Sequence, residues 1–201
     1  HENWLHHSRK TKKTKVIVAD PRRTELAAGM DGYLAIRPGS ESYLMLGMLT
    51  AVVQRGWTDD QFIRDYTVDF EHLKALVSDW NVEEFAQRCG LEAAELSGAA
   101  LKFARSPMSV VHPARQSFQN EAGGLGAWAW LALHAVTANI LRPGGLFENQ
   151  GIIDLFPILT QLGADKAPRT SATDYALMLM QAPASLMPSE IEDGPVRALI
   201  S

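Results

Sequence analysis

Residues 16–25, VIVADPRRTE, contain the strongest local signal of the fold. Residues 16–18 are an uninterrupted β-branched run, which is typical of a short buried strand. The Asp-Pro pair ends this strand, because proline has no ladder donor and restricts the residue before it. At such a strand end, Asp20 could bind a ribose hydroxyl or base N–H groups, and Arg22 could bind phosphate. These ten residues leave open an ordinary strand-end turn, in which Asp and Pro are common.

The composition is that of a globular protein without a basic excess. The 201 residues are 46% hydrophobic and 21% charged, with a formal net charge of −4, so we expect no nucleic-acid partner. A single cysteine, Cys89, excludes an internal disulfide, a CxxC metal site and a cysteine-ligated cluster within the chain. No apolar stretch reaches the roughly 18 residues that span a bilayer, so we expect no direct membrane insertion. The sequence does not distinguish a cytoplasmic from a periplasmic location.

Strand patterns alternate with helix patterns along the first 148 residues. After the opening strand, residues 32–37 and 109–112 are predicted as strands. Helices are predicted at residues 40–54, 60–66, 69–79, 82–88, 92–105 and 127–141. This alternation predicts an α/β fold, a Rossmann-like layer of short parallel strands with flanking helices. We predict an α/β domain over residues 1–148, an irregular and helical connection over 149–193, and the start of a following strand at 194–201.

The candidate binding residues lie after the three predicted strands. Because the carboxyl ends of parallel strands meet at one edge of a sheet, these turns are expected to lie together. They combine carboxylates, guanidinium groups, a glycine and a helix N-terminus, which suits a large phosphorylated ligand better than covalent catalysis. No GxSxG, HExxH, P-loop or GxGxxG motif accompanies them. The residues are Asp20, Arg22, Gly39, Ser40, Glu41, Arg115 and Gln119.

Several longer stretches, taken in order, resemble the central part of molybdopterin oxidoreductases, the dimethyl-sulfoxide-reductase family. The resemblance covers residues 15–148, about two thirds of the chain. Its specific part is the ordered combination of DPR(R/K)TE, RPG(S/T) and TxNxxRPGG, each of which is weak alone. The stretches are VIVADPRRTELAA, LAIRPGSESYLMLGML, GWTDDQFI, GLEAAELSGAALKFA and LHAVTANILRPGGLFE.

This resemblance implies a bis-(molybdopterin guanine dinucleotide) cofactor carrying molybdenum or tungsten. Two departures from the family pattern concern its cradle. The turn at residues 114–116 lacks the family's glycines, and Glu41 replaces the expected Asn or Asp. By position, the guanine nucleotide would contact Ala19, Asp20, Pro21, Arg22, Gly39 and Glu41, and the pterin would approach Arg115 and Gln119.

By the same resemblance, the chain is one section of a larger multidomain enzyme, a nucleotide-binding part of a molybdopterin-dependent oxidoreductase. The family's catalytic metal ligand and its iron–sulfur cysteines would lie outside this chain, so no catalytic or metal-ligating residue is assigned. The chain alone is predicted to be inactive. Its partners would be the remaining segments of the same enzyme, and an electron-transfer subunit and an iron–sulfur cluster elsewhere in the enzyme are left open. The missing initiator methionine and the strand-like ending at residues 196–201 also predict a fragment of a bacterial protein of greater length.

Two alternatives belong to other functional classes. The first is a cofactor-free scaffold or interaction domain that keeps the fold. The second is a helix-turn-helix DNA-binding module over residues 82–105. The second helix of that pair begins with Glu92 and Glu95, whose charge opposes binding to DNA.

Overall fold

The computed structural model describes residues 2–114, 116–147, 161, 169–172, 174 and 186–194. The chain forms two compact units, residues 1–148 and 149–201. The first unit contains α1 (Glu2–Lys12), β1 (Ile17–Ala19), α2 (Glu25–Ala28), β2 (Gly32–Leu34), α3 (Glu41–Gln54), α4 (Asp60–Tyr66), α5 (Phe70–Ser78), α6 (Val82–Cys89), α7 (Ala93–Arg105) and α8 (Gly123–Val136). The second unit contains α9 (Met187–Glu192).

Strands β1 and β2 form a parallel pair joined by the short helix α2. Ile17 pairs with Gly32 and Ala19 with Leu34, so the carboxyl ends of both strands lie at the same edge. Thr24 caps α2, because its Oγ1 accepts the amide of Ala27 at 3.2 Å. The α/β class with parallel strands and flanking helices is therefore confirmed, with helices predominating.

Three details of the strand prediction are wrong. The second strand ends at Leu34 and does not continue to residue 37, and residues 109–112 are not a strand in the described structure. Strand β1 is also less buried than predicted, since Ile17 is 37% exposed. Among the described residues the sheet has two strands, so no further strand pairs with β1 or covers its outer edge.

Helix α3 forms the centre of the first unit. It packs against α5, α6, α7 and α8. Leu49, Ala51 and Val52 are completely buried, and each leucine-sized side chain buried in this way contributes roughly 1.5–3 kcal/mol. The buried set on this helix is Ser42, Leu44, Met45, Leu46, Gly47, Met48, Leu49, Thr50, Ala51, Val52 and Val53.

Local capping signals fix several helix boundaries. Asp59 accepts the amide of Phe62 at the start of α4, and Asn81 accepts the amide of Glu84 at the start of α6. Gly90, with φ of 78°, ends α6 in the left-handed conformation that glycine favours. The boundaries of α3 to α7 lie within a residue or two of those predicted.

Helix α8 differs from its prediction at both ends. It begins at Gly123 and not at residue 127, and it ends at Val136 because Ala138 has a positive φ of 53°. Gly126 lies so close to α3 that an added Cβ would be 2.4 Å from Ser42 Oγ. Glycine has a low helix propensity, but the close contact between α3 and α8 requires a glycine at position 126.

The second unit is described only in part. Glu190 of α9 is buried, and its carboxylate accepts the amide of Ala172 at 3.1 Å. The helical piece near residues 173–180 and the strand predicted at 194–201 fall outside the described residues, apart from Asp174 and Gly194. Of the helices that the structure describes, none is long and apolar enough to cross a membrane.

The contact of α3 with α6 and α7 predicts an effect on stability at Gly47. An alanine Cβ there would lie 2.7 Å from Leu96 Cδ1 and 2.9 Å from Phe85 Cβ. Gly47→Ala should therefore lower the free energy of unfolding by about 1–3 kcal/mol. Urea unfolding followed by circular dichroism measures this change.

The matched control is Gly98→Ala in α7, where an added Cβ meets nothing within 4 Å. That variant should raise the free energy of unfolding by about 0.5–1 kcal/mol, since alanine is the better helix former. Equal stabilisation by the two substitutions would contradict the close approach of α3 to its neighbours.

A second prediction concerns Asp31, which joins α1 to the start of β1. The guanidinium of Arg9 and the amide of Val16, 2.9 and 3.0 Å away, hold the pKa of the Asp31 carboxyl well below its usual range. The unfolded value is about 3.9. The stability from this carboxylate is therefore fully present above about pH 4 and is lost as the pH falls below that value.

Asp31→Asn should flatten the dependence of the melting temperature on pH below about pH 4. Asp79→Asn, at an exposed position of the C-cap of α5, should leave the same profile unchanged. Thermal unfolding at a series of pH values from about 2 to about 7 provides the measurement. A profile in Asp31→Asn identical to that of the wild type would show that the ion pair with Arg9 does not stabilise the fold.

Candidate ligand-binding edge

The turn after β1 has a fixed backbone and free side-chain groups. Asp20 Oδ1 accepts the amide of Arg22 at 2.7 Å, and the amide of Asp20 donates to Leu34 O at 3.2 Å. Tyr33 Oη donates to the carbonyl of Asp20 at 2.8 Å. Within the described part of the chain, no hydrogen bond or ion pair involves the guanidinium of Arg22. Ala19, Pro21 and Arg22 are exposed and Asp20 is half-buried, so this turn presents polar groups to solvent.

The turn after β2 is attached to the end of α6. The amide of Arg37 donates to Cys89 O at 2.8 Å, and its Nη1 donates to Gln87 O at 2.8 Å. Ser40 Oγ donates back to Arg37 O at 2.6 Å. Gly39 has φ of 76°, and an added Cβ would meet nothing within 4 Å. Glycine is therefore needed for the backbone conformation, and the turn has an open outer surface.

Cys89 lies beneath this turn and is completely buried. Burial raises the pKa of its thiol to about 11, and its Sγ lies 3.5 Å from Ser40 O, to which the thiol donates. A neutral, inaccessible thiol is a poor nucleophile. Cys89 therefore acts as a small buried side chain in the packing beneath this turn.

Glu41 is the first residue of α3 and carries an unusual carboxylate. Its Oε2 is buried, yet it has no hydrogen-bond partner among the described residues. The partial positive charge at the N-terminus of a helix favours a carboxylate there. A buried acceptor without a partner is costly, so this oxygen is suited to a ligand that donates N–H groups.

The third turn reaches the start of α3 through neighbours of Gln119. Asn120 Oδ1 accepts the hydroxyl of the buried Ser42 at 3.0 Å. On the other side, the ring of Phe118 packs against Trp130 with a centroid separation of 6.3 Å. Gln119 is exposed between these two anchored residues. Arg115 lies outside the described residues.

The extended segment before this turn is bound by side chains of α8 and of the residues that follow it. The amide of Val111 donates to His134 Nε2 at 3.1 Å, and the carbonyl of Val111 accepts a hydrogen bond from Trp130 Nε1 at 2.8 Å. The amide of Ser109 donates to Asn139 Oδ1 at 2.9 Å. His134 Nδ1 donates to Trp130 O, so Nε2 is the free acceptor of a neutral ring, and burial lowers the pKa of this histidine. His134 is completely buried.

The structure therefore connects the predicted turns in two pairs. The β1 turn contacts the end of β2 through Asp20 and Leu34, and the loop with Gln119 contacts the start of α3 through Asn120 and Ser42. Sequence reasoning missed the roles of Ser42 and Asn120. Ser42 lies in the first turn of a helix and Asn120 in a polar loop, and neither position carries a sequence signal for their contact.

The described residues of the edge offer polar groups for binding a ligand. Across the part of the chain that the structure describes, no three His, Cys, Asp or Glu residues are grouped to hold a metal ion. The α6–α7 pair does not support the DNA-binding alternative. Glu92 and Glu95 form a capping box at the start of α7, which places carboxylates where a recognition helix meets DNA.

Comparison with known proteins identifies the group to which this chain is related. No protein-family model matches the sequence. Acetylene hydratase of Syntrophotalea acetylenica is 37% identical over 97 residues, which are 48% of this chain and 13% of that protein. Nitrate reductase of Synechocystis sp. is 33% identical over 141 residues, which are 69% of this chain and 19% of that protein.

Comparison with solved structures relates the chain to the same group of proteins. The solved structure of acetylene hydratase from Pelobacter acetylenicus matches with a TM-score of 0.64 and 30% sequence identity, over 71% of this chain and 19% of that one. The chain spans about a fifth or less of the length of the curated relatives described here. In both sequence and fold, the chain belongs to the molybdopterin oxidoreductase family, the dimethyl-sulfoxide-reductase family of molybdenum and tungsten enzymes.

Proposed function

We propose that this chain forms one section of the cradle for bis-(molybdopterin guanine dinucleotide) in a molybdenum- or tungsten-dependent oxidoreductase. When bound, such a cofactor supplies the redox chemistry, and the protein binds and orients it. The residues of this chain would therefore contribute binding and orientation, while turnover would depend on other segments of the same enzyme. An electron-transfer subunit and an iron–sulfur cluster remain compatible with this assignment.

The observation that carries the proposal is the unpaired Oε2 of Glu41. It is one of two buried side-chain polar atoms without a partner in the described structure, the other being Arg142 Nε. The Watson–Crick edge of guanine has two adjacent N–H donor groups, which a carboxylate can accept together. Glutamate would serve here in place of the Asn or Asp expected from the resemblance, and Gly39 would leave the base an open approach.

The β1 turn would hold the nucleotide at the neighbouring strand end. Asp20 uses Oδ1 within its own turn, which leaves Oδ2 available as an acceptor for a ribose hydroxyl or a base N–H. The exposed Arg22 guanidinium would bind phosphate oxygens with two parallel hydrogen bonds. Ala19 and Pro21 would contribute backbone and apolar contacts beside them. On the pterin side, the corresponding residues are Arg115 and Gln119.

The outer face of α8 supports the proposal that further enzyme segments pack on this chain. Leu125, Trp128 and Leu131 are 48%, 39% and 45% exposed, and α8 contains no Asp, Glu, Lys or Arg. A helix that is apolar all round is usually buried within a large protein. We propose that the remaining segments of the same oxidoreductase cover this face.

The test of the guanine contact uses the complete enzyme with Glu41→Gln. The amide would present its own donors to guanine, so binding should weaken by roughly 10- to 100-fold, as for the loss of a charge-assisted hydrogen bond. Guanine nucleotide released by acid hydrolysis and metal content by mass spectrometry, each per polypeptide, report occupancy. Glu71→Gln is the matched control, because Glu71 lies exposed in the first turn of α5.

The test of the β1 turn uses Asp20→Asn, which keeps an acceptor for the Arg22 amide and removes only the charge. It should lower nucleotide content without a change in melting temperature. The control is Asp59→Asn, since Asp59 also accepts a backbone amide, that of Phe62 at 2.9 Å, far along the chain from this edge.

A wild-type enzyme without guanine nucleotide or metal would instead support the cofactor-free scaffold. Full nucleotide content in both Asp20→Asn and Glu41→Gln would contradict the assigned contacts.

A further inference from the structure

The backbone of the segment at residues 107–111 is hydrogen-bonded to side chains and not to a neighbouring strand. Both backbone groups of Val111 are paired, the amide with His134 Nε2 and the carbonyl with Trp130 Nε1. Two residues earlier, the amide of Ser109 pairs with Asn139 Oδ1. In the described structure no backbone group of another element pairs with the backbone of Ser109 or Val111, although the hydroxyl of Ser109 donates to Phe103 O of α7 at 2.8 Å.

The contacts recur at every second residue of the segment, at Pro107, Ser109 and Val111. At the first of these positions, Arg142 Nη2 donates to Pro107 O at 3.0 Å. At the last, Trp130 and His134 lie four residues apart, so one face of α8 presents both a donor and an acceptor.

We propose that Trp130 and His134 are positioning residues for the cofactor cradle: they replace a neighbouring strand at Val111 and so fix the loop that carries Arg115 and Gln119. This inference rests on the proposed function, because it concerns the pterin side of the same cradle. His134 is completely buried and Trp130 is partly buried. We therefore assign both residues to positioning of the loop and not to direct contact with the cofactor.

Trp130 connects the segment to the loop directly. Its indole N–H binds Val111, and its ring packs on Phe118, the residue before Gln119. The ring of His134 is held between Trp130 and Phe103, with centroid separations of 5.5 and 5.1 Å, both in edge arrangements. Its hydrogen bond to Trp130 O fixes the tautomer that leaves Nε2 as an acceptor. Trp130 and His134 therefore fix the position of the Val111 backbone, and Trp130 also holds Phe118, which precedes Gln119.

The experiment measures hydrogen exchange and cofactor content in the complete enzyme. His134→Leu removes the acceptor for the Val111 amide, whereas His134→Gln keeps an acceptor oxygen within reach of it. Trp130→Phe removes only the indole donor to the Val111 carbonyl and keeps an aromatic ring, so it tests the support of Val111 at a second atom should His134→Leu fail to fold. His72→Leu is the control, because His72 lies exposed on α5.

In His134→Leu, the amide of Val111 should exchange roughly five- to tenfold faster, as expected for one lost hydrogen bond, with α3 amides unchanged. Trp130→Phe should raise exchange in residues 111–119. Guanine nucleotide and molybdenum or tungsten per polypeptide should fall in both variants and stay at the wild-type level in His134→Gln and His72→Leu.

Unchanged exchange at Val111 in His134→Leu and Trp130→Phe would overturn the proposed support of the segment. Faster exchange with full cofactor content would overturn the positioning role while leaving the proposed function intact. A wild-type enzyme without guanine nucleotide would instead show that the proposed function is wrong, and the positioning role would fall with it. Normal cofactor content in the wild type, together with reduced content in His134→Leu and Trp130→Phe, would support both the proposed function and the positioning role.

Discussion

Helix α3 depends on small residues at two of its contacts, and the rest of the first unit depends on α3. At Gly47 the helix approaches α6 and α7 so closely that a methyl group would overlap Leu96. At its other end, Ser42 meets Gly126 of α8 at a distance that excludes any side chain on the glycine. Because interiors are packed as densely as organic crystals, these contacts fix where each neighbouring helix can lie.

The same contact between α3 and α8 organises the candidate ligand-binding edge. Ser42 is one residue from Glu41 and hydrogen-bonds Asn120, which is one residue from Gln119. The crossing of α3 and α8 therefore brings together a helix N-terminus and a loop that are separated by 78 positions in sequence. The residues that would touch a ligand remain free, because adjacent residues make the structural contacts.

Local signals in the sequence predicted those elements whose boundaries depend on nearby residues. Asp59, Asn81 and Gly90 act within a few residues of their own position, and the helices that they start or end were predicted correctly. The third strand was predicted wrongly, because the backbone of Val111 pairs with side chains of a helix some twenty positions later. Nor does any sequence pattern reveal that the carboxylate of Glu41 has a buried, unpaired oxygen, since that property depends on the packing around α3.

The stretches that carry the family resemblance have two different physical roles. In TxNxxRPGG, Asn139 is completely buried and Arg142 binds Pro107, so these side chains are used within the fold. In DPRR, the backbone is fixed while the exposed Arg22 forms no ion pair with the described residues. The RPGS turn and the residue after it combine both cases: Arg37 is attached to α6, Gly39 has an open outer surface, and the buried Oε2 of Glu41 has no partner among the described residues. Family resemblance alone treats these motifs alike, whereas their contacts separate side chains that are used within the fold from side chains whose polar groups have no partner in the described structure.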